Sequence, residues 1–268
     1  MTETLRIDTE GQVATVTLLR PTMSPRFFDE VGDVFRGLAT ADVRAVVVRA
    51  EGKAFSFGLD LVEAMGLMAT FQARGGGNLA GPRTELLGLI RRWQQSFTAV
   101  AECPVPVVAA LHGWCIGGGL DLAVACDVRV CSQDTKMSLR ETRIGIVADL
   151  GSLQRLPGIV GQGRARELAF TGRDLGAEEA KAMGLVSEVL PDREATLQAA
   201  QQLARQIAAN PPLTVRGVKE VMRFGEGRPV AEGLDYVAAW NSAFLASEDL
   251  GEAMAAFAAK REPVFKGR

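Results

Sequence analysis

Three consecutive glycines, Gly117, Gly118 and Gly119, stand directly before the apolar run LDLAVAC, and they constrain the fold of this chain more than any other feature. A run of glycine lets the backbone turn sharply and leaves its N–H groups uncovered by side chains. Leu120, Leu122, Ala123, Val124 and Ala125 predict a helix that starts at the turn, which puts those N–H groups at the positive end of its dipole. Apolar neighbours on every side predict that the helix is buried. Its one charge, Asp121, is then expected to be paired or to have a raised pKa. Arg129, Arg140 and Arg143 are candidate partners for a structural ion pair.

Two further carboxylates follow, Glu141 twenty residues after Asp121 and Asp149 eight beyond that. Exposed N–H groups beside several carboxylates in apolar surroundings suit proton transfer next to a developing oxyanion. Taken singly, each feature also has a plainer reading. The glycines suit a tight structural turn as readily as a ligand-facing one. Asp149 suits the cap of a turn over 151–156, and Glu141, within SLRETR, suits a solvated face. Neither a G-x-G-x-x-G fingerprint nor a G-K-[ST] phosphate loop occurs.

With 268 residues the chain has material for one large core or two modest ones. A net charge of −2 gives no electrostatic case for nucleic acid or an anionic membrane surface. No apolar run approaches the roughly 18 residues that span a bilayer, so no membrane partner is expected. The polar start MTETLRIDTEGQ and an ending without a peroxisomal tripeptide make the cytoplasm the expected compartment. The four cysteines form no C-x-x-C pair and are expected to be buried thiols. The single histidine, His112, rules out a histidine cluster, so no metal site is expected. A Ser-His-Asp hydrolase would need that histidine and a G-x-S-x-G elbow, which is absent. His112 is expected to pack at a strand end.

Hydrophobic periodicity predicts strands over 13–19, 45–48, 104–112 and 185–190. It predicts helices over 25–38, with Ser24 as cap and Pro25 at the first position, and over 85–100, 164–170 and 177–183. Between them, 73–82 (ARGGGNLAGP) reads as a flexible loop. The chain divides into a mixed α/β core over 1–195 and a helical region over 196–268. Met222, Phe224, Trp240, Phe244, Leu245 and Phe257 give that region surplus apolar surface, suited to packing on the core or on another subunit.

The segments GKAFSFGLDL, CPVPVVAALHG, the glycine triad with CDVRV, GSLQRLPGIVG, AFTGRDLGAEEAKAMGLVSEV and FAAKREPVFKG resemble the crotonase superfamily of enoyl-CoA hydratases and isomerases over nearly the whole chain. Within it the chain is most similar to the 3,5-to-2,4 dienoyl-CoA isomerases, which carry acids at the spacing of Asp121, Glu141 and Asp149. A hydratase of this fold is expected to have Glu in place of Asp121 and no acid in place of Asp149. The resemblance implies a spiral of β-β-α turns closed by a C-terminal helical trimerisation region, in a homotrimer or homohexamer. It implies an oxyanion hole from the backbone N–H groups of Leu59 and Gly118, each typically worth about 2.7–4 kcal/mol in the transition state. Glu141 is then expected to serve carbon 2, Asp149 carbon 6, and Asp121 to orient the site or tune Glu141. The acyl-CoA thioester is the substrate, and no metal or redox cofactor is implied. PTMSP, 21–25, departs from the family's Asn-containing turn near the coenzyme A site, so altered nucleotide binding is expected there. Other readings are a hydratase or another acyl-CoA enzyme of the same fold, and a non-catalytic acyl-CoA-binding subunit.

Overall fold

The computed structural model describes residues 2–74 and 76–268. The hairpin β1 (Leu5–Glu10) and β2 (Val13–Leu18) leads into α1 (Pro25–Leu38) and β3 (Ala45–Ala50). Helices α2 (Leu61–Arg74) and α3 (Ala80–Ala101) follow, then β4 (Val107–Leu111), β5 (Trp114–Ile116) and α4 (Gly118–Ala125). Next come β6 (Val128–Ser132), β7 (Lys136–Ser138), a 3-10 turn over Glu141–Ile144, α5 (Ser152–Val160) and α6 (Gln162–Thr171). The chain ends through β8 (Leu175–Gly176), α7 (Ala177–Ala182), β9 (Glu188–Leu190), α8 (Arg193–Ala208), α9 (Pro212–Gly225), α10 (Val230–Phe244) and α11 (Glu248–Ala259).

The large sheet runs β1-β2-β3-β4-β6-β9, with β1 antiparallel to β2 and every other pair parallel. A small sheet, β5-β7-β8, lies beside it. The isolated parallel bridges Met23 to Leu59 and Ser56 to Cys115 extend the inner layer to earlier turns of the chain. Each turn therefore supplies a strand to the large sheet, a short strand or one bridging residue to the inner layer, and a helix. That is the crotonase spiral.

Parallel strands covered on both faces read as continuous apolar runs, and alternate residues serve opposite faces. Val46, Val48, Val107 and Ala109 join the main core with Phe28, Phe97 and Leu120. Ala45, Val47, Val108 and Ala110 join Leu197, Ala200 and Ala204 of α8 on the other side. The expected division near 195 thus passes through a helix that covers the sheet. The sequence reads α1 well. Ser24 accepts from Phe27 N at 3.2 Å, Pro25 needs no partner for an absent N–H, and Phe28, Val31, Phe35 and Leu38 face inward.

The expected loop over 73–82 is shorter. Helix α2 runs through Arg74 and α3 begins at Ala80, while residue 75 lies outside the described residues. Asn78 Oδ1 accepts from Ala80 N at 2.9 Å, and Pro82 falls in the first turn, where a missing N–H costs nothing. Among the described residues, no helix is long and apolar enough to cross a membrane.

Candidate active site

The glycine triad is dictated by what surrounds it. Gly117 takes φ +54°, and a Cβ there would stand 3.2 Å from Glu141 Oε1. At Gly119 a Cβ would press to 2.8 Å from Ser56 Cβ, and at Gly118 to 3.1 Å from Met23 Sδ. Three successive residues therefore touch three different segments, and side chains would push those segments apart.

Gly58, at φ +82°, is equally confined: a Cβ would meet Ile116 O at 2.8 Å and Gly118 N at 3.0 Å. Its turn of the chain is fixed from both sides. Met23 N donates to Gly58 O at 2.8 Å and Asp60 N donates to Met23 O at 2.9 Å. Ser56 N donates to Trp114 O at 2.9 Å and Ile116 N to Ser56 O at 3.0 Å. Because Gly58 O and Asp60 N turn toward Met23, the Leu59 N–H turns to the opposite side, where α4 begins. Gly118 is the first residue of that helix, so its N–H has no partner within it. Among the described residues, neither the Leu59 nor the Gly118 N–H donates to a protein acceptor. Segment 21–25, singled out for its unusual sequence, is built into this arrangement through Met23 and through Thr22 Oγ1, which donates to Asp60 Oδ2 at 3.0 Å.

Asp121 sits in the first turn of α4 and is 1% exposed. Its Oδ1 accepts from Ser152 N at 2.6 Å, and Oδ2 is buried without a partner. Burial pushes its pKa up to about 6, against hydrogen bonding from Ser152, and the Asp149 charge adds to the rise. None of the three arginines pairs with it. Arg129 is spent on the carbonyls of Leu185, Ala123 and Cys126, Arg140 on Asp174, and Arg143 on Thr171 O.

Glu141 opens the 3-10 turn and lies half-buried, with Oε2 enclosed and unpartnered. Burial first, then the like charges of Asp121 and Asp149, raise its pKa to about 7. The solvated face open to it in sequence is overturned, because its charged neighbours turn outward and it turns in. Asp149 is half-buried, and burial raises its carboxyl above the ordinary range against its own backbone N–H. It caps no helix: Asp121 holds the Ser152 N–H, and Gln94 Nε2 donates to Asp149 O at 2.7 Å. Sequence reasoning missed both Ser152 and Gln94. One acts through its backbone and the other is a polar residue on a long helix, so neither leaves a local signal.

The site thus sets two free N–H groups beside three carboxylates raised chiefly by burial, with Asp149 adding to the rise at Asp121 and both aspartates adding to the rise at Glu141. Such a group can hold a proton at neutral pH on one acid and accept one on another. His112 stands apart from it, buried at the end of β4 with Nε2 3.3 Å from Gly52 O.

The enoyl-CoA hydratase/isomerase family profile matches residues 8–268. The mitochondrial Delta(3,5)-Delta(2,4)-dienoyl-CoA isomerase of Dictyostelium discoideum is 41% identical over 261 residues, 95% of this chain and 87% of that one. The peroxisomal enzyme of the same name from Arabidopsis thaliana is 40% identical, covering 98% of this chain and 96% of its own. Among solved structures, an enoyl-CoA hydratase from Bacillus anthracis superposes with a TM-score of 0.88 at 29% identity, covering 99% of this chain and 100% of that chain. A profile match over nearly the full length, with relatives at about 40% identity, establishes that the chain belongs to the enoyl-CoA hydratase/isomerase family.

Proposed function

We propose that this protein is a dienoyl-CoA isomerase that converts a 3,5-dienoyl-CoA into the 2,4-dienoyl-CoA. The observation that carries the proposal is Asp149, a third acid whose charge acts on both Glu141 and Asp121. Relatives of that name at about 40% identity support the same reading.

The thioester oxygen lies between the N–H groups of Leu59 and Gly118, which stabilise the negative charge that develops there. Carbon 2 becomes acidic in consequence, and Glu141 removes its proton. The electron pair runs along the conjugated chain, and Asp149 delivers a proton at carbon 6. One proton has left and one has returned, so the product is an isomer, and solvent resets the two acids. Asp121 touches no reacting atom in this scheme. It holds Ser152 and keeps the proton affinity of Glu141 high. The thioester supplies its own activation, so the scheme uses no metal or redox cofactor.

Assembly as a homotrimer or homohexamer through the helical region belongs to the same proposal. Met222, Val230, Leu234, Leu245 and Met254 are exposed there, and Phe257 is 86% exposed. Single apolar residues on a surface are ordinary, but a group of this size is typical of an interface. Cytoplasmic residence is the reading offered for this chain, although the relatives above are mitochondrial or peroxisomal by name. Incubating the purified protein with a 3,5-dienoyl-CoA and following the ultraviolet absorbance of the conjugated product tests the activity. Faster hydration of a 2-enoyl-CoA than isomerisation of the diene would overturn it.

A further inference from the structure

Asp149 lies in a stretch without regular structure, between the 3-10 turn and α5. No ladder of backbone hydrogen bonds fixes it there. Side chains from three helices do so instead. Gln94 of α3 donates to Asp149 O at 2.7 Å. Arg155 of α5 donates to Leu150 O and to Thr98 Oγ1 of α3, both at 3.4 Å. Asp121 of α4 accepts from Ser152 N. The first carbonyl used by α5 is that of Gly151, which accepts from Gln154 N and Arg155 N, so the Asp149 carbonyl gains nothing from that helix. Among the described residues, Gln94 is its one protein donor.

The carbonyl that Gln94 holds is bonded to the Cα that bears the Asp149 side chain. Holding that C=O anchors the peptide plane of which the Asp149 Cα is one corner, and so limits how far that Cα and the Cα–Cβ bond it carries can shift. The support behind Gln94 is rigid. Its neighbour Trp93 stacks on Phe28 with ring centroids 4.6 Å apart, and Phe97 and Val100 are fully buried. Gln94 and Thr98 are four residues apart and share one face of α3, so both bonds to this stretch come from the same helix surface.

We propose that Gln94 is a positioning residue for proton return: its side-chain amide fixes the peptide plane after Asp149 and so aims that carboxyl at the distal carbon of the substrate. The inference rests on the role proposed above for Asp149. A misplacement of about 1 Å costs up to roughly 100-fold in rate, so loss of this one bond reaches the chemistry without touching a reacting atom.

Gln94→Met removes the donor at nearly constant volume. With a 3,5-dienoyl-CoA it is expected to lower kcat at least about tenfold with KM within about twofold, while solvent exchange of the carbon 2 proton stays within about twofold of wild type. Gln94→Glu faces the carbonyl with a carboxylate at alkaline pH and with a donating carboxyl once protonated. Its activity relative to wild type is expected to recover as pH falls. Should Gln94→Met not fold, that pH-dependent recovery decides the matter. A residue that merely supported the fold would lower isomerisation and exchange together and show no such recovery. That result, or normal isomerisation by Gln94→Met, overturns the inference. Asp149→Asn in the same series separates the two proposals. If it isomerises normally, the role of Asp149 fails; if it is slow while Gln94→Met is normal, the role of Gln94 alone fails.

Discussion

The Asp121 carboxylate on α4 accepts a 2.6 Å hydrogen bond from the backbone N–H of Ser152, the first residue of α5. One helix thereby caps another, and a buried acid beside the site is held by a group that bears no formal charge. Asp121→Asn keeps the accepting oxygen and removes the like charge felt by Glu141. It is expected to melt close to wild type and to move the rising limb of the pH–rate profile to lower pH. Asp121→Leu leaves the Ser152 N–H unpaired, at a cost of about 1–3 kcal/mol, and melts lower. Equal melting temperatures for the two variants would show that the bond does not stabilise the protein.

Glu141 has its pKa raised from 4.5 to about 7, chiefly by burial. As the base proposed above it must be ionised, so kcat/KM for the diene is expected to rise with pH through about 7. The effect on stability has the opposite sense. Between 4.5 and about 7 the folded protein binds more protons at this residue than the unfolded chain does, so stability falls as pH rises across that window. Glu141→Gln relieves the burden, and its gain in melting temperature is expected to be larger at about pH 8 than at about pH 5. Calorimetry showing a larger gain at the acidic pH would contradict the assignment.

Gly58→Ala places a Cβ against Ile116 O and Gly118 N in a backbone conformation that disfavours it. Separating the two N–H donors is expected to lower kcat by roughly 100- to 1,000-fold, the usual cost of one oxyanion donor. Single-turnover kinetics read this directly. Unchanged kcat would remove Leu59 and Gly118 from the mechanism.

Asp149→Asn keeps shape and hydrogen bonding but carries no transferable proton. It is expected to slow isomerisation at least about 100-fold while leaving exchange at carbon 2 largely intact. Glu141→Gln is expected to abolish that exchange. Deuterium incorporation followed by mass spectrometry distinguishes the two steps.

Light scattering at micromolar concentration is expected to give a trimer or hexamer, with the apolar side chains of α9, α10 and α11 covered. A stable monomer would contradict the assembly proposed here.

Much of the scaffold could be read from the chain. Ser24 and Pro25 announce α1, and the nearly continuous apolar runs of β3 and β4 announce strands covered on both faces. The glycine triad announces the start of α4. What could not be read is tertiary direction. Glu141 lies between Arg140 and Arg143, and nothing local says that the arginines turn to Asp174 and Thr171 while the acid turns inward. The partner of Asp121 is a backbone N–H, which is the same in every residue but proline. Three arginines of opposite charge stand nearer in sequence, and all three are engaged elsewhere. The sequence starts α3 at residue 85 while the helix begins at Ala80, because Gly77, Gly81 and Pro82 interrupt the helical pattern and no side chain caps its first turn from Leu79.

The parallel bridge between Ser56 and Cys115 also has a consequence for how the protein is made. The two N–H donors belong to consecutive turns of the spiral, so a nascent chain acquires both once α4 has emerged from the ribosome. At that moment Asp121 already stands on an apolar helix, while Ser152, 31 residues further on, is still enclosed in the exit tunnel. Premature termination between the two leaves Asp121 without the N–H it holds and the sheet without α8. Such fragments expose one face of the sheet and are expected to be cleared by proteases.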